Sequence, residues 1–78
     1  MADLTHYAVA HSYIIELKYL AVKDSDSKAE AQWQDAVNQI RLYAAAPRVE
    51  QLRQGTQLHC IIMQFRGCEL ERAEEVQV

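Results

Sequence analysis

A carboxylate and an ammonium two positions apart, Glu16 and Lys18, sit inside the most apolar run of the chain, Tyr13 to Val22. If that run is a β-strand, alternation places Ile14, Glu16 and Lys18 on one face and Tyr13, Ile15, Leu17 and Tyr19 on the other. Burying such charges is costly unless they pair with one another or hold a metal. Read alone, a Glu-x-Lys pair also fits a solvated sheet face or a simple ion pair, which is its commoner meaning. Asp3 supplies a second carboxylate. With Ala10 and His11 as a two-residue turn, a hairpin sets Asp3 opposite Lys18 and Thr5 opposite Glu16. Opposed Cβ atoms lie about 4.5–5.5 Å apart and diagonal ones about 7–8 Å, so Asp3 and Glu16 can converge on one cation. Two hard oxygen ligands completed by water suit Mg²⁺ or Mn²⁺ and do not suit a zinc cage.

The elements that must position these residues follow from periodicity. Asp3 to Val9 and Ser12 to Val22 read as the two strands of a hairpin spanning 3–22, the second rich in Tyr, Ile, Leu and Val. Lys23 to Asp26 is a polar loop, and Ser27 with Glu30 forms an S-x-x-E capping box that predicts a helix over 27–46. Trp33, Ala36, Val37, Ile40, Tyr43 and Ala44 keep the 3.6-residue period of a face packed on a sheet, and Pro47 ends the run. A short helix over 48–54 closes at Gly55. Residues 57–65, with Leu58, Cys60, Ile61, Ile62 and Met63 in succession, read as a strand buried on both faces. It is expected to run parallel to the second strand through a right-handed crossover. Gly67 and Cys68 break it, leaving a charged tail over 69–78 that either adds an edge strand or frays. The fold class is therefore α/β: a β-hairpin, an α-helix and a β-strand, giving a mixed sheet packed on one main helix.

The bulk numbers set the frame. Seventy-eight residues, half of them apolar, make one small domain, and a chain of this size buries only about 60% of the surface that its unfolded form exposes. The apolar run is too short, and too charged, for the roughly 20 residues of a membrane helix. Met1, Ala2 and Asp3 offer no basic n-region of a signal peptide, so a cytoplasmic protein without a membrane partner is expected. A formal net charge of −3 gives no general field for nucleic acid, and any affinity for DNA has to be local or metal-assisted.

Ala2-Asp3-Leu4, followed by Glu16 and Lys18 in Tyr13-Ile14-Ile15-Glu16-Leu17-Lys18, resembles the PD-(D/E)XK nuclease superfamily. Gln39-Ile40-Arg41-Leu42-Tyr43 is similar to the Q-x-x-x-Y motif of its RecB-like branch, and Gln39 and Tyr43, four apart, share a helix face. The resemblance covers essentially the whole chain. It looks most like the nuclease-like domains at the C-terminal end of certain AAA-type ATPase-like proteins. It implies metal-dependent phosphodiester hydrolysis on DNA, with Asp3 and Glu16 holding Mg²⁺ or Mn²⁺. Lys18 would orient or activate the attacking water, and Gln39 with Tyr43 would support the site or a phosphate. Family members carry a helix and a strand before the Asp-bearing strand, whereas Asp3 is here the third residue. On that pattern the chain is a single partial, N-terminally truncated domain over 1–78. Its activity would depend on the missing segment or on an ATPase domain, and its unpaired strand edge would favour a homo-oligomer. The alternative is a degenerate, non-catalytic domain that serves dimerisation or interaction.

The remaining candidates have plainer explanations. Cys60 and Cys68 lack zinc spacing and read as buried, inert thiols. His6 points to the face opposite Asp3 in this register, His11 sits in the turn, and His59 reads as a hydrogen-bonded core histidine. Trp33 reads as core. Glu69, Glu71, Glu74 and Glu75 read as a solvated acidic tail.

Overall fold

The computed structural model describes residues 10–53 and 55–77. Five elements follow one another: β1 (His11–Leu20), α1 (Asp26–Ala45), α2 (Pro47–Arg53), β2 (Gln57–Arg66) and β3 (Glu69–Val76). The three strands form one sheet in the order β1-β2-β3, parallel between β1 and β2 and antiparallel between β2 and β3. The α/β class and the mixed sheet on one main helix are as expected. Asp3 and the expected first strand of the hairpin lie outside the described residues.

Helix α1 begins because Ser25, in an extended conformation, accepts the Lys28 backbone N–H with its hydroxyl, and Asp26 adds negative charge to the first turn. The cap is therefore Ser25 and not Ser27. Glu30 takes no part in a capping box, since its carboxylate accepts instead from the Gln34 side chain at 3.0 Å. The helix ends at Ala45. Ala46 is extended, as the residue before a proline prefers, and Pro47 opens α2 at the position where a missing N–H costs nothing. Strand β1 stops at Leu20 because the loop closes on itself: Ala21 N donates to Asp24 Oδ2 at 2.8 Å, and Asp24 N returns to Ala21 O at 3.0 Å.

The core lies between α1 and one face of the sheet. Trp33, Ala36 and Ile40 from the helix meet Cys60 and Ile62 from β2, with Ile14, Val37, Ala44, Leu58 and Val76 around them. Tyr43 departs from the expected apolar stripe and stays 54% exposed. Among the described residues, strand β2 is covered on one side only. Cys60, Ile62 and Gln64 are buried under the helix, whereas the alternate residues Ile61, Met63 and Phe65 are only half-buried. On that open face Tyr13, Ile15, Leu17 and Tyr19 are all substantially exposed. A polar residue completes the covered face: Gln64 is 2% exposed and donates to Ala29 O at 2.9 Å and to Gln32 Oε1 at 3.0 Å. No helix among the described residues is long and apolar enough to cross a membrane.

The final segment is a strand of eight residues, with a register shift opposite Gln64 and Phe65, and not a frayed tail. Its acidic side chains are largely engaged. Arg66 Nε donates to Glu71 at 2.6 Å, and its guanidinium also reaches the Asp24 carbonyl and, at 3.4 Å, Asp26. Arg72 pairs with Glu74 at 2.7 Å and Glu30 at 3.1 Å, and lies over the Trp33 ring with 3.9 Å to its centroid.

Candidate active site

Pleating sets Ser12, Ile14, Glu16, Lys18 and Leu20 toward α1 and Tyr13, Ile15, Leu17 and Tyr19 away from it, as alternation requires. Glu16 and Lys18 thus share the helix-covered face, level with Ile62 and Gln64 on the neighbouring parallel strand. Their side chains meet, with Lys18 Nζ 3.3 Å from Glu16 Oε1, and are 24% and 22% exposed respectively. The same ammonium donates to Gln39 Oε1 on α1 at 3.1 Å. An ammonium has three donors, and these two acceptors hold it over the strand from which it springs.

Of the five residues expected at the site, the structure brings three together: Glu16, Lys18 and Gln39. Tyr43 follows Gln39 by one helical turn on the exposed side of α1. Asp3 lies outside the described residues, as do Thr5 and His6. His11 is not a turn residue. It is the first residue of β1, aligned with Gln57, and the Ala10 carbonyl accepts from Gln57 N at 2.9 Å. Val9, on the far side of the expected turn, lies outside the described residues, and so does the Asp3–Lys18 alignment.

The arrangement offers one carboxylate, one ammonium and one amide on a half-covered face. Among the described residues no group of three or more His, Cys, Asp or Glu side chains could hold a metal ion. Glu16 is the described oxygen donor at this place, and a hard divalent ion needs a second carboxylate or several waters beside it.

Two other expectations change. Cys60 is buried and Cys68 is exposed in the turn before β3, and both thiols are free. Burial pushes the Cys60 thiol up, which makes it a poor nucleophile. His59 is not a core residue enclosed by Leu58 and Cys60. It lies on the open face of the sheet, where its Nε2 is 2.7 Å from His11 Nδ1 and its Nδ1 is 3.1 Å from Glu75 Oε1. Sequence reasoning missed this row. The signal was the parallel alignment itself, which sets Tyr13 beside His59 and makes His11 a diagonal neighbour.

A family model described as the PD-(D/E)XK nuclease superfamily matches residues 1–75. Comparison with curated proteins and with solved structures gives no match.

Proposed function

We infer, from a chain that belongs to the PD-(D/E)XK nuclease superfamily, that it is a metal-dependent phosphodiesterase module acting on DNA. One observation carries the reading: Glu16 and Lys18 lie side by side on the covered face of β1, and Gln39 reaches across from α1 to hold the ammonium. A solvated sheet face does not require a helix residue to orient its lysine. In this reading Asp3 and Glu16 hold Mg²⁺ or Mn²⁺. Such an ion, when bound, lowers the pKa of water and neutralises charge developing on the phosphodiester. Lys18 orients the attacking water through the donor not used by Glu16 and Gln39. Gln39, assigned with Tyr43 to a Q-x-x-x-Y motif of the RecB-like branch, positions Lys18, and Tyr43 remains open to solvent to meet a phosphate. A linked ATPase domain and a homo-oligomer belong to the same reading.

The test is a pair of measurements on the full chain. Calorimetric titration with Mn²⁺ should show binding that the double variant Asp3→Asn, Glu16→Gln loses. Lys18→Ala should keep that binding and lose cleavage of DNA. Native affinity for Mn²⁺ in the double variant would overturn the ligand assignment. Metal binding by a native chain that cuts no DNA would instead favour a non-catalytic interaction module.

A further inference from the structure

The open face of the sheet carries a row of chemistry that the reading above does not use. At the end where β1 and β2 begin, the strands are pinned by the backbone bond from Gln57 to Ala10 and by the hydroxyls of Ser12 and Thr56, 2.5 Å apart. On this clamp sit His11 and His59, with ring centroids 4.9 Å apart and planes tilted by 40°. Tyr13 stacks on the His59 ring at 5.0 Å. Glu75, from β3, accepts from His59 Nδ1 at 3.1 Å.

A carboxylate only accepts hydrogen bonds, so Glu75 keeps the His59 proton on Nδ1 and leaves the Nε2 lone pair directed at His11. His11 Nδ1 stands 2.7 Å from that nitrogen, within reach of one hydrogen bond between the two imidazoles. We propose that His11 Nδ1 and His59 Nε2 form a two-imidazole site for a borderline transition-metal ion such as Zn²⁺, with Glu75 as the carboxylate that orients His59.

The chemistry is that of a metal-binding histidine whose second nitrogen is held by a carboxylate, an arrangement that fixes the tautomer and raises ligand basicity. Nitrogens bound to zinc at 2.0–2.1 Å in tetrahedral geometry stand roughly 3.3 Å apart. Going from 2.7 Å to roughly 3.3 Å, the pair opens by about 0.6 Å and each ring turns so that both lone pairs face the ion. His11 is exposed at the start of its strand and can make that adjustment. The neutral His11 ring moves its proton from Nδ1 to Nε2 through solvent, so binding to the neutral pair releases none. Two protein ligands leave the remaining positions to water, which makes the site open and weak. Its softness separates it from the Glu16 face: imidazole suits Zn²⁺, Ni²⁺ and Cu²⁺, whereas Mg²⁺ requires oxygen. It does not depend on the nuclease reading.

The experiment is calorimetric titration of the full chain with ZnCl₂ at pH 7.5, repeated with excess MgCl₂. One Zn²⁺ per chain is expected, undisturbed by Mg²⁺. His11→Gln and His59→Gln should each lower the affinity at least about tenfold, and Glu75→Gln by about 10–100-fold. Glu16→Gln should leave it unchanged. Circular dichroism of each variant checks the fold, and His11→Gln, at an exposed position, is the variant least able to disturb it. Zinc binding that survives both histidine substitutions, that is lost in Glu16→Gln, or that is absent from the native chain at millimolar metal overturns the proposal.

Discussion

Lys18 on β1 and Gln39 on α1, 21 positions apart in sequence, are joined by a hydrogen bond of 3.1 Å from the ammonium to the amide oxygen. The bond spans the boundary between strand and helix at its solvent margin, since Gln39 is itself exposed. Its contribution is to orientation more than to stability.

Gln39→Ala should accordingly change the unfolding free energy by about 0.5 kcal/mol or less, as surface substitutions usually do. Ile40→Ala, at the next position and 0% exposed, should cost about 2–5 kcal/mol. Urea denaturation of the two variants checks the contrast. Equal losses would make Gln39 a structural residue and remove it from the site.

Gln64 is a buried amide whose two donated bonds end on Ala29 and Gln32 of the same helix. Gln64→Glu removes the donor and turns a carboxylate toward a backbone carbonyl, so it should destabilise strongly, by about 3 kcal/mol or more at neutral pH. Gln64→Leu removes the amide without introducing a charge and should be the milder change. Thermal melts at pH 7 would show the order.

Acid should loosen the loop before α1. The backbone N–H of Ala21 and then the Lys28 ammonium hold the Asp24 carboxyl below its usual range. A carboxyl depressed in the folded state stabilises fully above its unfolded pKa of about 4, and that contribution disappears as pH falls through the lower folded value. Melting temperatures of the native chain and of Asp24→Asn should therefore differ at pH 7 and converge toward pH 2. Parallel curves across that range would refute the assignment.

Two glycines with positive φ should respond differently to alanine. Gly55, at 78°, has nothing within 4 Å of an added Cβ, so Gly55→Ala carries conformational strain alone, about 1–2 kcal/mol. Gly67, at 59°, would bring its Cβ to 2.9 Å from Val22 Cγ2. Gly67→Ala should cost more, and adding Val22→Ala should recover part of the difference. Additive effects in that double variant would show that the contact does not matter.

Much of this fold was readable because alternation and the 3.6-residue period are local. Glu16 and Lys18 were placed on one face by counting alone, and Trp33, Ala36 and Ile40 on another by helical spacing. What could not be read depended on competition between neighbours. Ser25 and Ser27 are both good caps, and Ser25 holds the position because Asp24 has already closed the preceding loop onto Ala21. Tyr43 keeps the apolar period yet stays exposed, while Ala44, one position on, packs against the core. His59 seemed enclosed by apolar neighbours in sequence, but in a strand those neighbours point the other way, and its real partners come from β1 and β3. At the candidate site, the Glu16–Lys18 pair was legible from one strand, whereas the grip of Gln39 needed the packing of helix on sheet.

The parallel pairing of β1 with β2 also has a kinetic side. Contacts such as that of His11 with His59 join residues 48 positions apart, and no tight turn can bring the two strands together. Their ladder has to wait until α1 has formed and folded back, while β2 and β3 meet across a two-residue turn within microseconds of becoming extended. Refolding should thus begin at the C-terminal hairpin and end with the docking of β1. The strand that carries Glu16 and Lys18 would be the last to take its place and, on local opening, the first to leave it.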